Sequence, residues 1–106
     1  MANQVRASHI LLMYAGSERS TASRSKEEAL SGIQGIQSEI QSGTDFGELA
    51  GKHSDCPSGQ SGGDLGMFGP GQMVPAFDTV AFSMDIGAVS DVVETPFGYH
   101  LIKRTG

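Results

Sequence analysis

Two histidines lie near opposite ends of the chain, His9 in the apolar stretch VRASHILLMY and His100 in FGYHLIKR. Both stretches have the composition of β-strands, and the terminal strands of a small sheet can be neighbours, so the two rings could form a cross-strand pair. In such a pair one ring donates a hydrogen bond and the other accepts it, which favours two neutral rings, and burial lowers a histidine pKa further. Each histidine alone could equally be a core residue with satisfied hydrogen bonds.

Cys56 is the only cysteine of the chain and lies in the segment HSDCPSG, close to His53 and Asp55. By itself it is interpreted as a small, half-buried apolar side chain. Its neighbours leave two chemical alternatives open: a thiol nucleophile with a histidine base, or a metal site that also uses a strand histidine. The spacing matches no recognised zinc pattern and there is no second cysteine, so we predict neither a metal nor another cofactor.

Six glycines lie between Gly59 and Gly71, and large apolar residues accompany them. Glycine is costly to order and adds no packing, so such a segment needs a structural reason. An apolar pocket rimmed by backbone that can approach a bound chain closely would suit a small ring such as proline. The same apolar residues could instead belong to the core: Leu65, Phe68, Met73 and Phe77.

Arg19 and Arg24 lie in the polar segment AGSERSTASRS. Their simpler interpretation is as solvated loop arginines. Alternatively, the two guanidinium groups could contact the anionic group of an acidic or phosphorylated ligand.

Local patterns predict the elements that position these groups. A strand over 5–14 places His9 on the same face as Leu11 and Met13. A capping box formed by Ser25 and Glu28 starts a helix. Further along the chain, the patterns predict the end of that helix at Gly43, a short helix after Asp45, a strand at 65–68, a helix from Pro75 to about Phe82, and strands at 89–95 and 97–104. This order predicts one α+β domain over residues 1–106, with a small, mostly antiparallel sheet covered by helices.

Composition excludes several classes of protein. Seven basic against twelve acidic residues give a net charge of −5, which argues against binding to nucleic acid or to an anionic membrane. The sequence contains no signal-peptide pattern and no apolar run long enough to span a membrane. With a single cysteine, these features predict a cytoplasmic protein, and we expect a monomer.

The stretch HSDCPSGQSGGDLGMFGPGQMVPAFDTVAFS, preceded by ASHILL and followed by FGYHLIKR, closely resembles the parvulin family of peptidyl-prolyl cis/trans isomerases. The resemblance covers Ala7 to Arg104 and implies a four-stranded antiparallel sheet surrounded by helices. It also implies that His9 and His100 are the paired core histidines of the family. Cys56 then matches a position of cysteine or aspartate, Thr95 a hydroxyl residue near the histidines, and the proline pocket is matched by Leu65, Met73 and Phe77, with Phe68 nearby.

The implied function is rotation about X–Pro bonds in flexible or unfolded polypeptides, without covalent attack by Cys56. Phospho-specific relatives of the family carry a lysine at the position of Met13, so we expect no strict phosphate requirement and at most a mild preference for an acidic residue before proline. A non-catalytic chaperone module that binds proline-containing chains is the alternative function, and a zinc hydrolase is a more distant one.

Overall fold

The alternating apolar stretch near the N-terminus forms strand β1, Val5–Leu12, in the computed structural model, which describes residues 4–106. The elements that follow are α1 Lys26–Gln41, α2 Phe46–His53, a 3₁₀ helix Pro57–Ser61, β2 Asp64–Phe68, α3 Pro75–Ser83, β3 Val93–Thr95 and β4 Gly98–Arg104. The strands form one sheet in the order β2-β1-β4-β3, and every neighbouring pair is antiparallel. The predicted α+β class and the four-stranded sheet implied by the resemblance are therefore confirmed.

Alternation along β1 and β4 divides the sheet into two faces. One face, called here the core face, packs against α1 and α2 and carries Ile10, Leu12, Tyr99 and Leu101. The other, called here the cavity face, packs against α3 and carries Val5, Ala7 and Ile102. Both histidines also lie on the cavity face, because they alternate in step with these residues.

The helix boundaries follow the capping signals in the sequence. Ser25 Oγ accepts a hydrogen bond from the Glu28 N–H at 3.1 Å, and the Glu28 side chain accepts one from the Ser25 N–H at 2.7 Å, which completes the capping box of α1. Gly43 has φ = +106° just beyond the end of α1. The Asp45 side chain accepts a hydrogen bond from the Glu48 N–H at 3.0 Å and caps α2. Both predicted helix starts are confirmed.

Strand β1 ends at Leu12 rather than at the predicted Tyr14. Beyond it the backbone of Met13 binds side chains instead of a strand. Its N–H donates to Asp55 Oδ2 at 2.8 Å, and its carbonyl oxygen accepts from Arg24 Nη1 at 2.9 Å. The N–H and carbonyl groups of Met13 are therefore satisfied by side chains, and they do not need the partners that a continued strand would supply.

Strand β3 is confined to Val93–Thr95, although the pattern predicted 89–95. The pairing with β4 is interrupted at Ser90, whose N–H donates to the Ile102 carbonyl at 2.8 Å while its hydroxyl accepts from the Ile102 N–H at 3.0 Å. The hydroxyl thus takes the place of a backbone carbonyl.

None of the helices described for residues 4–106 has the length and apolarity needed to cross a bilayer.

Candidate active site

The two strand histidines meet on the cavity face. Nδ1 of His9 lies 3.1 Å from Nδ1 of His100, and the rings stack with their centroids 5.2 Å apart. The pairing is diagonal, because His9 is directly opposite Ile102 and His100 is directly opposite Leu11. Both histidines are buried, at 5% and 4% exposure.

Thr95 extends this pair into a chain of hydrogen bonds. Its Oγ1 lies 2.7 Å from His100 Nε2 and accepts a bond from the Phe97 N–H at 3.2 Å. The hydroxyl hydrogen can then be donated to His100 Nε2, which leaves His100 to donate from Nδ1 to His9. The chain ends at His9 Nε2, a buried atom with no hydrogen-bond partner among residues 4–106.

Burial keeps both rings neutral. It lowers the pKa of His9 from its ordinary value of 6.5 to about 4. Burial, and secondly the proximity of His9, lower the pKa of His100 to about 3. The structure brings the two rings together, and their lowered pKa values favour hydrogen-bonding groups without a net charge at neutral pH.

Phe77 of α3 holds the pair from the side of the helix. Its ring meets those of His9 and His100 edge-on, with centroids 5.6 and 5.5 Å away. Phe68 packs against Phe77 and against Phe82 behind it. Consequently the histidines are fixed by aromatic packing as well as by hydrogen bonds.

An apolar cavity of about 340 Å³ opens above the histidines. Of the residues predicted for the site, its lining includes His9, His100, Cys56, Leu65, Met73, Phe77 and Arg19. Phe68, Thr95 and Arg24 do not belong to the lining. Phe68 is only 2% exposed in the layer behind Phe77, so the structure places it as a support for the cavity and not as part of its wall.

Five further residues of the lining were not predicted for the site from sequence: Leu11, Met13, Pro57, Val74 and Phe97. Alternation along β1 placed Leu11 and Met13 on the same face as His9, so this pattern could have predicted that they line the cavity with it. Val74 and Phe97 lie in connections outside the regular elements. Local pattern contains no signal for their position, which depends on where α3 and β4 pack.

Gly63 brings the glycine-rich segment onto β1 beside His9. Its φ is +85°, and its carbonyl oxygen accepts a hydrogen bond from the His9 N–H at 2.9 Å. A β-carbon at this position would lie 2.3 Å from the His9 carbonyl oxygen, so glycine is required for the contact. The glycine-rich segment was expected to bring its backbone close to a bound chain. At Gly63 the backbone instead lies close to strand β1 of the protein itself.

Cys56 lies immediately before the 3₁₀ helix, half-buried in the cavity wall. Its Sγ accepts a hydrogen bond from Ser58 Oγ at 3.1 Å, and its N–H donates to Ser54 Oγ at 3.3 Å. His53 lines a separate hollow on the α1 side, away from the cavity. The structure therefore does not bring His53 and Cys56 together in one site.

The two candidate arginines have different environments. Arg19, at φ = +59°, lies at the cavity and forms no ion pair with any residue in the range 4–106. Arg24 forms an ion pair with Asp55 and a hydrogen bond to the Met13 carbonyl. Arg24 is therefore already engaged by a carboxylate, whereas Arg19 faces the cavity without an ion pair among residues 4–106.

Residues 1–106 match the family model described as the PPIC-type PPIase domain, that is, the peptidyl-prolyl isomerase domain. Over 114 residues the chain is 40% identical to peptidyl-prolyl cis-trans isomerase Pin1 of Digitalis lanata, covering 97% of each chain. It is 41% identical to the foldase protein PrsA of a Geobacillus species, covering 96% of this chain and 32% of the relative.

A solved structure of the peptidyl-prolyl isomerase ESS1 from Candida albicans has the same fold. The TM-score is 0.95 at 38% identity, and the match covers 98% of this chain and 63% of that one. The sequence comparison and the structural comparison therefore each match nearly the whole chain to peptidyl-prolyl isomerases.

Proposed function

The chain belongs to the parvulin family of PPIC-type peptidyl-prolyl cis/trans isomerase domains, and we propose that the cavity above the histidine pair is its active site. It is a peptidyl-prolyl cis/trans isomerase, and its substrates are proline-containing peptides. One observation carries the assignment of the site: the apolar cavity of about 340 Å³ lies directly on two buried, neutral histidines and is open to a bound chain.

The proposed reaction breaks no covalent bond. Amide resonance gives the X–Pro bond a rotational barrier of ~18–20 kcal/mol, and this resonance is lost when the bond is twisted. Leu65, Met73 and Phe77 anchor the proline ring while the preceding carbonyl rotates. Because anchoring alone lowers the ground state and the transition state equally, the acceleration must come from contacts made only to the twisted amide. A thousandfold acceleration needs roughly 4 kcal/mol of such contacts.

Cys56 is well placed for such a contact without acting as a nucleophile. Ser58 donates its hydroxyl hydrogen to Sγ, so a polar, hydrogen-bonded group at Cys56 tunes the polarity of the cavity wall near the rotating carbonyl oxygen. His9, His100 and Thr95 form a neutral supporting network beneath the cavity. In this mechanism the histidines hold the cavity floor and transfer no proton.

Exchange spectroscopy on a short Ala-Pro peptide tests the activity at this site. Wild-type protein in catalytic amounts should accelerate cis/trans exchange, and Cys56→Asp should retain substantial turnover because no covalent step depends on the thiol. Cys56→Ser is the matched control, since it replaces the thiol by a hydroxyl of similar shape and keeps a hydrogen-bond donor at this position. Complete loss of turnover in a folded Cys56→Asp protein would contradict the non-covalent mechanism.

We further propose a mild preference for an acidic residue before proline, with no strict need for phosphate. Among the described residues that line the cavity, Arg19 alone carries a formal charge when the histidines are neutral. One guanidinium balances the charge of one carboxylate, whereas a phosphate close to its dianion would need a second cation. Peptides with Ala, Leu, Glu or phosphoserine before proline test this preference, and strong selectivity for phosphoserine would contradict it.

Flexible or unfolded polypeptides are the proposed clients, an inference supported by the foldase relative. That residues 1–106 form one domain, that the protein is a monomer, and that it works in the cytoplasm without binding nucleic acid or a membrane all stay predictions. They rest on its length, its single cysteine and its net charge of −5.

A further inference from the structure

The connection from α3 to β3 leaves apolar side chains at the surface of the protein. Three large apolar residues are exposed in the part of the chain that the structure describes, and two of them, Ile86 at 67% and Val89 at 36%, lie on this connection. Residues 86–94 are called here the β3 edge. They border a groove of about 370 Å³ whose apolar wall consists of Val80, Met84, Val89, Val92 and Val93. Apolar side chains that are clustered at a surface, instead of scattered, mark a contact site.

The backbone of Val89 points its polar groups away from the sheet. Val89 forms an antiparallel bridge to β4. The hydrogen bonds of this bridge belong to its neighbours, because the Ser90 N–H donates to the Ile102 carbonyl at 2.8 Å. On the other side of the bridge, the Arg104 N–H donates to the Ala88 carbonyl at 3.1 Å. Val89 itself is therefore in a non-hydrogen-bonded pair, and its N–H and carbonyl point outward, away from β4.

The same alternation continues into β3. The backbone groups of Ile102 and, two residues earlier, of His100 point to the same side of β4, and His100 is opposite Val93. The next residue, Glu94, therefore points its N–H and carbonyl outward, as Val89 does. The register with β4 shifts by one residue between Val89 and β3, which indicates a bulge. Because of this bulge, the β3 edge can pair with a short extended segment and not with a long one.

The chemistry of the β3 edge defines the partner that fits it. Outward N–H and carbonyl groups are matched by another extended backbone. The apolar wall of the groove matches aliphatic side chains on one face of such a strand. Among the described residues of the groove wall, Asp91 alone carries a charge, and it forms no ion pair with residues 4–106. Charge complementarity therefore favours a lysine or arginine in the partner segment over an acidic residue.

We propose that the β3 edge is a docking site for an extended segment of a partner polypeptide, which adds as a strand and carries a basic side chain beside Asp91. The segment needs no proline, because the groove and the cavity above the histidines have no wall residue in common. The added strand would lie about 4.8 Å outside β3. The proposal concerns a second binding surface and goes beyond the proposed function.

An NMR titration of the full chain with a proline-free hexapeptide tests this proposal. The peptide alternates valine with threonine, carries one lysine and has both ends blocked. It should shift the ¹H–¹⁵N signals of the β3 edge and slow hydrogen exchange at the amides of Val89 and Glu94, because both would form new hydrogen bonds. Shifts confined to the cavity lining, or no shifts, would overturn the proposal. The same shifts on raising the protein concentration without peptide would also overturn it, since a second copy would then occupy the edge.

Two lysine substitutions on opposite edges of the sheet locate the binding site. Val89→Lys should weaken binding of this peptide roughly fivefold or more, because it removes apolar surface and places a like charge at the edge. Met67→Lys is the matched control, since Met67 is 55% exposed on β2, the opposite edge strand, and the affinity should stay at the wild-type value. Equal weakening in both variants would contradict a docking site at the β3 edge. Ile86→Lys replaces Val89→Lys if the latter does not give the spectrum of a folded protein.

Asp91→Asn tests the charge contact by itself. At low ionic strength it should lower the affinity for the lysine peptide roughly two- to threefold, and it should leave the affinity for the same peptide with glutamine in place of lysine unchanged. Equal changes for both peptides would contradict a basic side chain beside Asp91. Acceleration of Ala-Pro exchange is measured separately, so a failure of the proposed function and a failure of this docking site can be told apart.

Discussion

The two faces of the sheet are built on the same strands and differ in whether the space above them is filled. Ile10 and Leu101 on the core face are fully buried, and α1 and α2 cover them. His9 and His100 are the adjacent residues in the same strands and are nearly as buried, at 5% and 4% exposure, yet they form part of a cavity wall. Depth of burial therefore does not separate core from site, and the cavity exists because α3 covers the second face only in part.

The faces also differ in the groups they hold. The cavity face contains a chain of hydrogen-bonded polar groups, His9, His100 and Thr95, whereas the neighbouring strand residues on the core face, Ile10, Tyr99 and Leu101, are aliphatic or aromatic. Buried polar groups are tolerated when they satisfy one another. The following tests should affect the two faces differently.

Truncation on the core face should have the largest effect. Leu101→Ala should lower the free energy of unfolding by about 2–5 kcal/mol, because it opens a hole in a filled layer. Urea denaturation followed by circular dichroism measures the loss. The kcat/KM per folded molecule should stay close to the wild-type value, and a large drop would contradict the separation of the two faces.

Acid should destabilise the protein through the cavity face. The pKa values of His9 and His100, about 4 and 3, lie below the ordinary 6.5 expected for the unfolded chain, so the unfolded chain takes up protons first as the pH falls. The stability due to the neutral rings is complete above about pH 6.5 and declines as the pH falls towards 4. Between about pH 7 and pH 5 the loss should be on the order of 2 kcal/mol for each histidine.

Urea denaturation at several pH values measures this dependence. His100→Phe should reduce the slope of stability against pH. His53→Gln is the control, because His53 is exposed in α2 and lies outside the cavity lining, and it should leave the slope unchanged. Equal effects of the two variants would contradict the role assigned to the buried pair.

Truncation of the cavity wall should reverse the pattern seen on the core face. Met73→Ala removes apolar surface from the wall of the proposed proline pocket, so kcat/KM should fall roughly tenfold, which corresponds to about 1.4 kcal/mol. Stability should change less than in Leu101→Ala, because Met73 is only half-buried. Met67→Ala is the matched control, since Met67 is 55% exposed on β2 and outside the cavity, and its kcat/KM should remain at the wild-type value.

Removal of the free charge at the cavity should have the smallest effect. Arg19→Gln should lower kcat/KM on a Glu-Pro peptide roughly two- to threefold relative to an Ala-Pro peptide, since an exposed charge is screened by solvent. The difference should shrink at high salt. Equal losses on both peptides would indicate that Arg19 acts through packing instead of charge.

Much of the fold could be predicted from short-range patterns. The capping residues Ser25 and Asp45 located two helix starts, and alternation in VRASHILLMY located β1 and its two faces. The 3₁₀ helix Pro57–Ser61 was not predicted, because glycine-rich segments favour no single local conformation. The true length of β3 was missed because a side-chain contact from Ser90 replaces a backbone contact there.

The sequence by itself determined which residues face the same way, because side-chain direction follows local periodicity in a strand or helix. It was the tertiary structure that decided which of these residues meet. His9 and His100 are 91 positions apart, and their contact depends on the register between β1 and β4. Likewise, the packing of Phe68 behind Phe77 and the engagement of Arg24 by Asp55 depend on how distant segments close on one another. Local periodicity contains no information on such closure, which follows from the global packing of the chain.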